Sequence, residues 1–219
     1  MAVRPQICLV NPNSSSIVTA RMATALGCCL GPEYQVTATT MAAAPPIILD
    51  PAGVAHADAL ITAAFRAGQD PLDGVVIGSF SDPAVTRLRR QLAVPVIGLA
   101  EAAMRAAAAV GDFIILSPAT KLNAGIIAQA RQLGLHGSLK AVLTAPISAT
   151  DLLGSVDDMA AVLGHEIDKA LAAQPAAAVI LGAGPLVDAA AILAAKKPPY
   201  TVISPLAAAA QMICDKIDP

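Results

Sequence analysis

Short apolar runs recur along this chain at residues 7–10, 36–41, 74–78, 95–99, 113–116, 139–143, 177–181 and 200–203. Longer amphipathic or alanine-rich stretches, such as 14–30, 55–67 and 151–172, lie between most of them. The runs are rich in Val and Ile and end at Gly, Pro, Ser or Asn, which predicts strands buried on both faces. The stretches between them predict helices. That rhythm implies parallel sheet with right-handed crossovers, because parallel neighbours need a connection long enough to hold a helix. Eight such units also match the number that closes a barrel. An internal echo argues for a different arrangement. Val76-Ile77-Gly78-Ser79 returns as Ile180-Leu181-Gly182-Ala183 at an offset of 104 residues, and Val10-Asn11-Pro12 returns as Leu116-Ser117-Pro118 at an offset of 106. Two echoes at nearly one offset predict an α/β chain of two similar halves with four strands each. The crossover falls near residues 98–100, and a final helix after Pro205 is placed back on the first half. The expected division is therefore 1–98 plus 205–219 against 99–204.

Composition narrows the function. Hydrophobic residues make up 56% of the 219 and charged residues only 14%, which suits strands covered on both faces. Aromatic residues are 2% and Trp is absent, so binding by stacking on bases or sugars is not expected. The net charge is −2, without the basic stripe of a nucleic-acid protein or the polybasic anchor of a membrane protein. Arg87, Arg89 and Arg90 are the densest basic group and read as a solvated helix face. No uninterrupted apolar run reaches the roughly 18 residues of a membrane span, and the start of the sequence lacks a signal-peptide pattern. The expectation is a cytoplasmic protein. Cys8, Cys28, Cys29 and Cys214 have no metal-ligand spacing and read as buried, inert thiols in a reducing compartment. His56, His136 and His165 fall on or beside helices, so neither a metal nor an organic cofactor is expected.

Ligands of open α/β sheets bind beyond the C-terminal ends of the strands. Four loops stand at such places: residues 11–16, 78–83, 117–120 and 182–185. Each is small or hydroxyl-rich, and each opens a helix. Free N–H groups and the positive end of a helix dipole suit a carboxylate or an imide oxygen. Neither GxxxxGK[ST] nor GxGxxG is present, so a nucleotide phosphate is not the expected ligand. A plainer role for Ser14, Asp82 and Thr120 is helix capping, with Pro83 at the first helical position. Four such loops in paired positions favour a shared cleft for a small molecule.

The same loops carry a family resemblance. Val10-Asn11-Pro12-Asn13-Ser14-Ser15 resembles the NPN[ST] opening of hydantoin and allantoin racemases in the aspartate/glutamate/hydantoin racemase superfamily. Residues 75–83, Val-Val-Ile-Gly-Ser-Phe-Ser-Asp-Pro, are similar to that family's ACF-x-DPG loop. Residues 94–103 match its PVVGI-x-EAA segment, residues 179–184 resemble VLGCAG, and residues 200–209 resemble the closing strand and helix. Order and spacing hold over nearly the whole chain. The resemblance implies two Rossmann-like halves, each a four-stranded parallel sheet flanked by helices. It also implies a pseudo-two-fold relation between them, a cleft on that axis, and an enzyme without a cofactor. In the family one cysteine from each half faces the substrate carbon. One thiolate takes a proton while the other thiol delivers one to the opposite face.

Here both cysteines are replaced: Ser79 stands at the first position and Ala183 at the second. Gly184-Pro185-Leu186 also departs from the family's AGM turn. Alanine cannot carry a proton, and a serine hydroxyl without a partner is a far weaker base than a thiol. Two-thiol racemisation is therefore not available. The expected function is a family enzyme of altered chemistry, a hydrolase, lyase or isomerase using Ser79 as nucleophile or oxyanion donor. The expected substrate is a small carboxylate or hydantoin-like cyclic amide. Asn11, Asn13, Ser14, Ser15, Phe80, Ser81, Ser117, Thr120 and Gly184 are the expected binding residues, and Glu101, at the half boundary, is a further candidate. The alternatives are an inactive racemase that still binds ligand and a non-catalytic binding module. An alanine-rich surface helix would suit a homo-oligomer.

Overall fold

The computed structural model describes residues 4–66, 71–145, 155–182 and 186–217. Within them strands and helices alternate without exception. The order is β1 (Gln6–Asn11), α1 (Ser16–Leu30), β2 (Gln35–Thr40), α2 (Pro51–Arg66), β3 (Gly74–Ile77), α3 (Val85–Gln91), β4 (Val96–Gly98) and α4 (Leu99–Val110). It continues with β5 (Phe113–Ser117), α5 (Thr120–Gln132), β6 (Leu139–Thr144), α6 (Val156–Ala173), β7 (Ala178–Leu181), α7 (Val187–Ala195), β8 (Thr201–Ile203) and α8 (Pro205–Ile217). The strands do not close into a barrel. They form two parallel four-stranded sheets of identical order, β2-β1-β3-β4 and β6-β5-β7-β8.

The likeness of the halves extends to individual bonds. Val10 lies opposite Ile77 in the first sheet, as Leu116 lies opposite Leu181 in the second. Just beyond the strands, Gly78 N–H donates to Val10 O at 2.8 Å, and Gly182 N–H donates to Leu116 O at 2.8 Å. Met41 N–H donates to Asn11 O, and Ala145 N–H to Ser117 O.

Strands β1, β3, β5 and β7 are almost wholly buried. β2 is not, against the expectation for residues 36–41: most of its residues, in Gln35–Thr40, are exposed. It is an edge strand, with water rather than a neighbour along its outer side, and threonine fits a pleated but half-solvated position. β6 is an edge strand too, with one fully buried residue. Helix starts also move. α2 begins at Pro51 rather than near residue 55, with Asp50 Oδ1 accepting from Gly53 N–H. α6 begins at Val156, capped by Ser155, and residues 151–154 of the predicted helix lie outside the described residues.

The two halves exchange helices. α4 follows the first sheet but buries Ala100, Ala103, Met104 and Ala107 against Phe113, Ile115 and Ile180 of the second. α8 follows the second sheet but buries Leu206, Ala209, Ala210 and Ile213 against Ile7, Leu9 and Val76 of the first. The exchanged helices pack on each other, and alanine suits that role because a methyl group lets two helix axes approach closely.

The thiols depart from expectation. Cys8 is buried, but Cys28 and Cys29 are exposed on α1 and Cys214 is partly exposed; all four are free. Adjacent helical positions turn about 100° apart, so the pair presents two directions and is not forced into the core. Burial, then the neighbouring Cys28, pushes the Cys29 thiol up, so it is not an activated thiolate. Among the described residues no helix is long and apolar enough to cross a membrane, and no group of His, Cys, Asp and Glu has the makings of a metal site.

Candidate functional site

The loop after β1 is organised around Asn11, which is fully buried. Its Nδ2 donates to Asn13 Oδ1, Ser15 O and Thr19 Oγ1 at 2.9, 3.1 and 2.9 Å, and its Oδ1 accepts from Asn13 N–H. Asn13 Oδ1 also accepts from Ser15 N–H. Asn11 is therefore spent on shaping the loop. Ser15, not Ser14, caps α1, its side chain accepting from Val18 N–H. Asn13, Ser14 and Ser15 are only partly buried, and Ser14 is held by its own N–H on Pro45 O. Ser117 is the counterpart of Asn11: fully buried, with its Oγ donating to Ala119 O and accepting from Ala119 N–H.

A second correspondence joins the first helix of each half to its edge strand. Thr19 Oγ1 meets Thr40 Oγ1 at 2.7 Å in the first half. In the second, Asn123 Nδ2 donates to Thr144 Oγ1, which also meets Thr120 Oγ1 at 3.0 Å. Thr120 is thus exposed and tied to β6; it is the first residue of α5, whose N-cap position is Ala119. The sequence reading missed the Thr19 and Asn123 pairs. The signal was present, since both steps keep the offset of 104 residues.

The loop after β3 carries the candidate catalytic residue. Ser79 is partly buried; its N–H donates to Ile77 O and its carbonyl accepts from Asp82 N–H. Among the described residues its Oγ has no hydrogen-bond partner, and no carboxylate, histidine or lysine is bonded to it. Phe80 is buried and packs on Gly182 at the end of β7, where an added Cβ would come within 2.9 Å of the ring. The C-terminal ends of β3 and β7 therefore meet, and Ser79 lies one residue from the junction. Ser81 is partly buried beside it. Ala183 and Gly184 lie outside the described residues.

Asp82 is not the cap of the helix that follows it. α3 starts at Val85, after an N-cap residue, Ala84, in the left-handed region at φ 64°; Pro83 precedes the cap. Asp82 is itself left-handed at φ 47°. That backbone turns its carboxylate inward onto α4: Oδ1 accepts from Ala100 N–H and Oδ2 from Glu101 N–H, each at 2.9 Å. Gln129 Nε2 of α5 donates to Oδ2 as well, at 2.6 Å. Burial pushes the Asp82 carboxyl up to about 6, against the three hydrogen bonds that favour its charge, with nearby Glu101 adding to the rise. α4 begins at Gly98, which offers no side-chain cap, and a Cβ there would collide with the Asp82 carboxylate. Glu101 is bound to Arg89 at 2.9 Å and Arg105 at 3.0 Å. Burial works to raise its pKa, but the bond from Arg105 and the charge and bond of Arg89 outweigh it, so the carboxyl is held below its usual range. Its partners make it structural. Arg87 and Arg89 are likewise engaged, by Asp58 and Glu101, rather than merely solvated. His56, His136 and His165 are exposed.

Chemically, this arrangement presents the Ser79 hydroxyl at a strand end, with helix N-termini nearby and no base bonded to it among the described residues. The family described as Asp/Glu/Hydantoin racemase has a model that matches residues 7–213. An allantoin racemase from Klebsiella pneumoniae is similar in structure, with a TM-score of 0.89 and 27% identity, covering 96% of this chain and 86% of that one. An allantoin racemase from Pseudomonas fluorescens shares 17% identity at a TM-score of 0.89, over 96% of this chain and 89% of that one. A glutamate racemase from Bacillus anthracis shares 19% at 0.66, over 96% and 80%. No protein of curated function matches the sequence.

Proposed function

The chain belongs to the Asp/Glu/hydantoin racemase family, and we propose that it is a racemase-like enzyme acting, without a cofactor, on a small carboxylate or hydantoin-type cyclic amide. The substrate lies where the C-terminal ends of the two sheets come together, between residues 1–98 plus 205–219 and residues 99–204. The similarity to allantoin racemases makes allantoin and related hydantoins the first compounds to test.

The observation that carries the reading is the pair of replaced positions. Ser79 stands in the loop where the family's first thiol is expected, its hydroxyl unbonded among the described residues, and Ala183 takes the second place. Abstraction of a proton on one face and delivery on the other needs two groups of matched pKa. Ser79 has no bonded base to raise its nucleophilicity. Its hydroxyl is suited to donating a hydrogen bond to an oxyanion that develops on the substrate, a role that needs no ionisation. Asn13, Ser14, Ser15, Phe80, Ser81, Thr120 and Gly184 complete the proposed site, while Asn11 and Ser117 act by shaping its loops. The favoured reactions are those that need no protein thiol, namely a lyase, hydrolase or isomerase step using Ser79. The absence of a base bonded to Ser79 among the described residues also favours a second reading, ligand binding without turnover.

One assay separates the two. Enantiopure hydantoins, allantoin and small dicarboxylates are incubated with the protein in heavy water, following substrate loss, optical rotation and deuterium uptake. Turnover that Ser79→Ala abolishes, with an unchanged melting temperature, supports the enzyme. Binding by calorimetry with no change in any compound supports the second reading. Restoring both thiols, Ser79→Cys with Ala183→Cys, is expected to confer deuterium exchange that neither single change confers. A double variant that binds but does not exchange would show that the site has been rebuilt beyond the loss of its thiols.

A further inference from the structure

We propose that the cavity between α2 and α5, which Ser81 of the strand-end loop borders but Ser79 does not line, is a binding site for a small organic anion with an apolar body. The cavity measures about 350 Å³ and takes one wall from each half, Val54 and Asp58 on α2 and Lys121, Leu122, Gly125 and Ile126 on α5. That volume falls in the range of small-molecule sites. Ser79 is not part of its lining, and Arg87 stands at its side.

One difference between the halves falls at this cavity. Gly125 lies on α5, and a Cβ built there would meet nothing within 4 Å. At the offset of 104 residues the matching position on α1 is Arg21. Arg21 reaches across to the other half, 4.0 Å from Asp188. The residue at that offset from Asp188 is Ala84. One join between the halves thus carries a charged pair at its surface, and the matching positions of the other carry glycine and alanine.

The charge of the walls selects the occupant. Asp58 is already committed: its Oδ1 accepts from Arg87 Nε at 3.0 Å, and its Oδ2 from Ala84 N–H at 2.8 Å. It orients Arg87 and leaves the two terminal amino groups of that guanidinium without a partner among the described residues. Lys121 has no ion-pair partner among them either. Two cations beside one satisfied carboxylate leave an excess of positive charge, next to an apolar wall of Val54, Leu122 and Ile126. A carboxylate fits the cations and an aromatic or branched body fits the wall. A ligand seated there touches both halves and stabilises their association.

The test is calorimetry of the intact protein with 3-phenylpropionate. The expected result is one-to-one binding that Lys121→Gln weakens about tenfold and Gly125→Leu abolishes. Gly125→Leu fills open space and replaces glycine with a stronger helix former, so its melting temperature should equal or exceed that of the parent. Ser79→Ala should leave this binding unchanged, so the result stands whatever the strand-end site proves to do. No binding at millimolar 3-phenylpropionate, binding that survives Gly125→Leu, or binding lost in Ser79→Ala would each overturn the proposal.

Discussion

The two exchanged helices do the same job in the two halves, yet their N-termini are held in opposite ways. α8 is capped locally: Ser204 Oγ accepts from Ala207 N–H, and Pro205 takes the first helical position. α4 carries Gly98 where α8 has Ser204, and it is capped by the distant Asp82. At the position matching Asp82, the second half has Leu186, fully buried in the apolar core. The difference teaches how a duplicated fold becomes asymmetric. A cap that comes from the loop after β3 ties Ser79's loop to α4, and through Gln129 to α5. A cap made by an adjacent serine ties α8 to nothing beyond itself.

The sharpest way to break the comparison is Asp82→Ala. It leaves Ala100 N–H, Glu101 N–H and Gln129 Nε2 without their acceptor, and a loss of about 3 kcal/mol in urea unfolding is expected near pH 5. The loss should depend on pH with a definite sign. The folded carboxyl titrates at about 6, above its ordinary 3.8. Between those values the folded state holds more protons than the unfolded one. Stability from this group is fully present below about pH 4 and declines as pH rises through 6. The gap between parent and variant should therefore shrink from pH 5 to pH 8. A gap that widens with pH would mean that the three donors, not burial, set the carboxyl's pKa.

Gly98→Ala comes next, at about 2 kcal/mol, because its methyl group must displace the Asp82 carboxylate. In the Asp82→Ala background the same change should cost far less, since the space is then free. A double-mutant cycle in urea measures that coupling, and simple additivity would mean that the two residues do not share the contact. Ser204→Ala is expected to have the smallest effect, about 1 kcal/mol, as for an ordinary local cap. Chemical denaturation that found it equal to Asp82→Ala would erase the distinction between the two helices.

Much of the architecture is legible in the sequence. The central strands declared themselves because residues 7–10, 74–77, 113–116 and 178–181 are continuous apolar runs, and continuity is what burial on both faces demands. The edge strand β2 was predicted as a strand but not as a solvated one, because whether a strand has one neighbour or two is not written in its own residues. Ser79 stood out from its motif and its place after a strand. Asp82 shows the limit of local sequence. A carboxylate just before a helix looks like its cap, and nothing local announces that left-handed backbone at Asp82 and Ala84 turns it toward a different helix. Asn11 and Ser117 read as ligand contacts because loops of this kind bind anions; in the fold Asn11 bonds to its loop and to Thr19 of α1, and Ser117 to Ala119.

By itself the sequence determined the alternation of strands and helices, the near-equality of two halves, and the two altered positions at Ser79 and Ala183. Those are properties of neighbouring residues and of a repeat, and both leave a periodic trace in one dimension. Tertiary structure alone decided that Asp82 caps α4 and accepts from Gln129, 47 residues away in the chain. It also decided that Phe80 seats on Gly182 and that Gly125 faces a cavity while Arg21, its match in the other half, lies beside Asp188. Each of these depends on which surfaces the packing of two sheets and two exchanged helices brings within about 3–4 Å. Hydrogen bonds and van der Waals contacts act only over such distances, and separation along the chain does not report them.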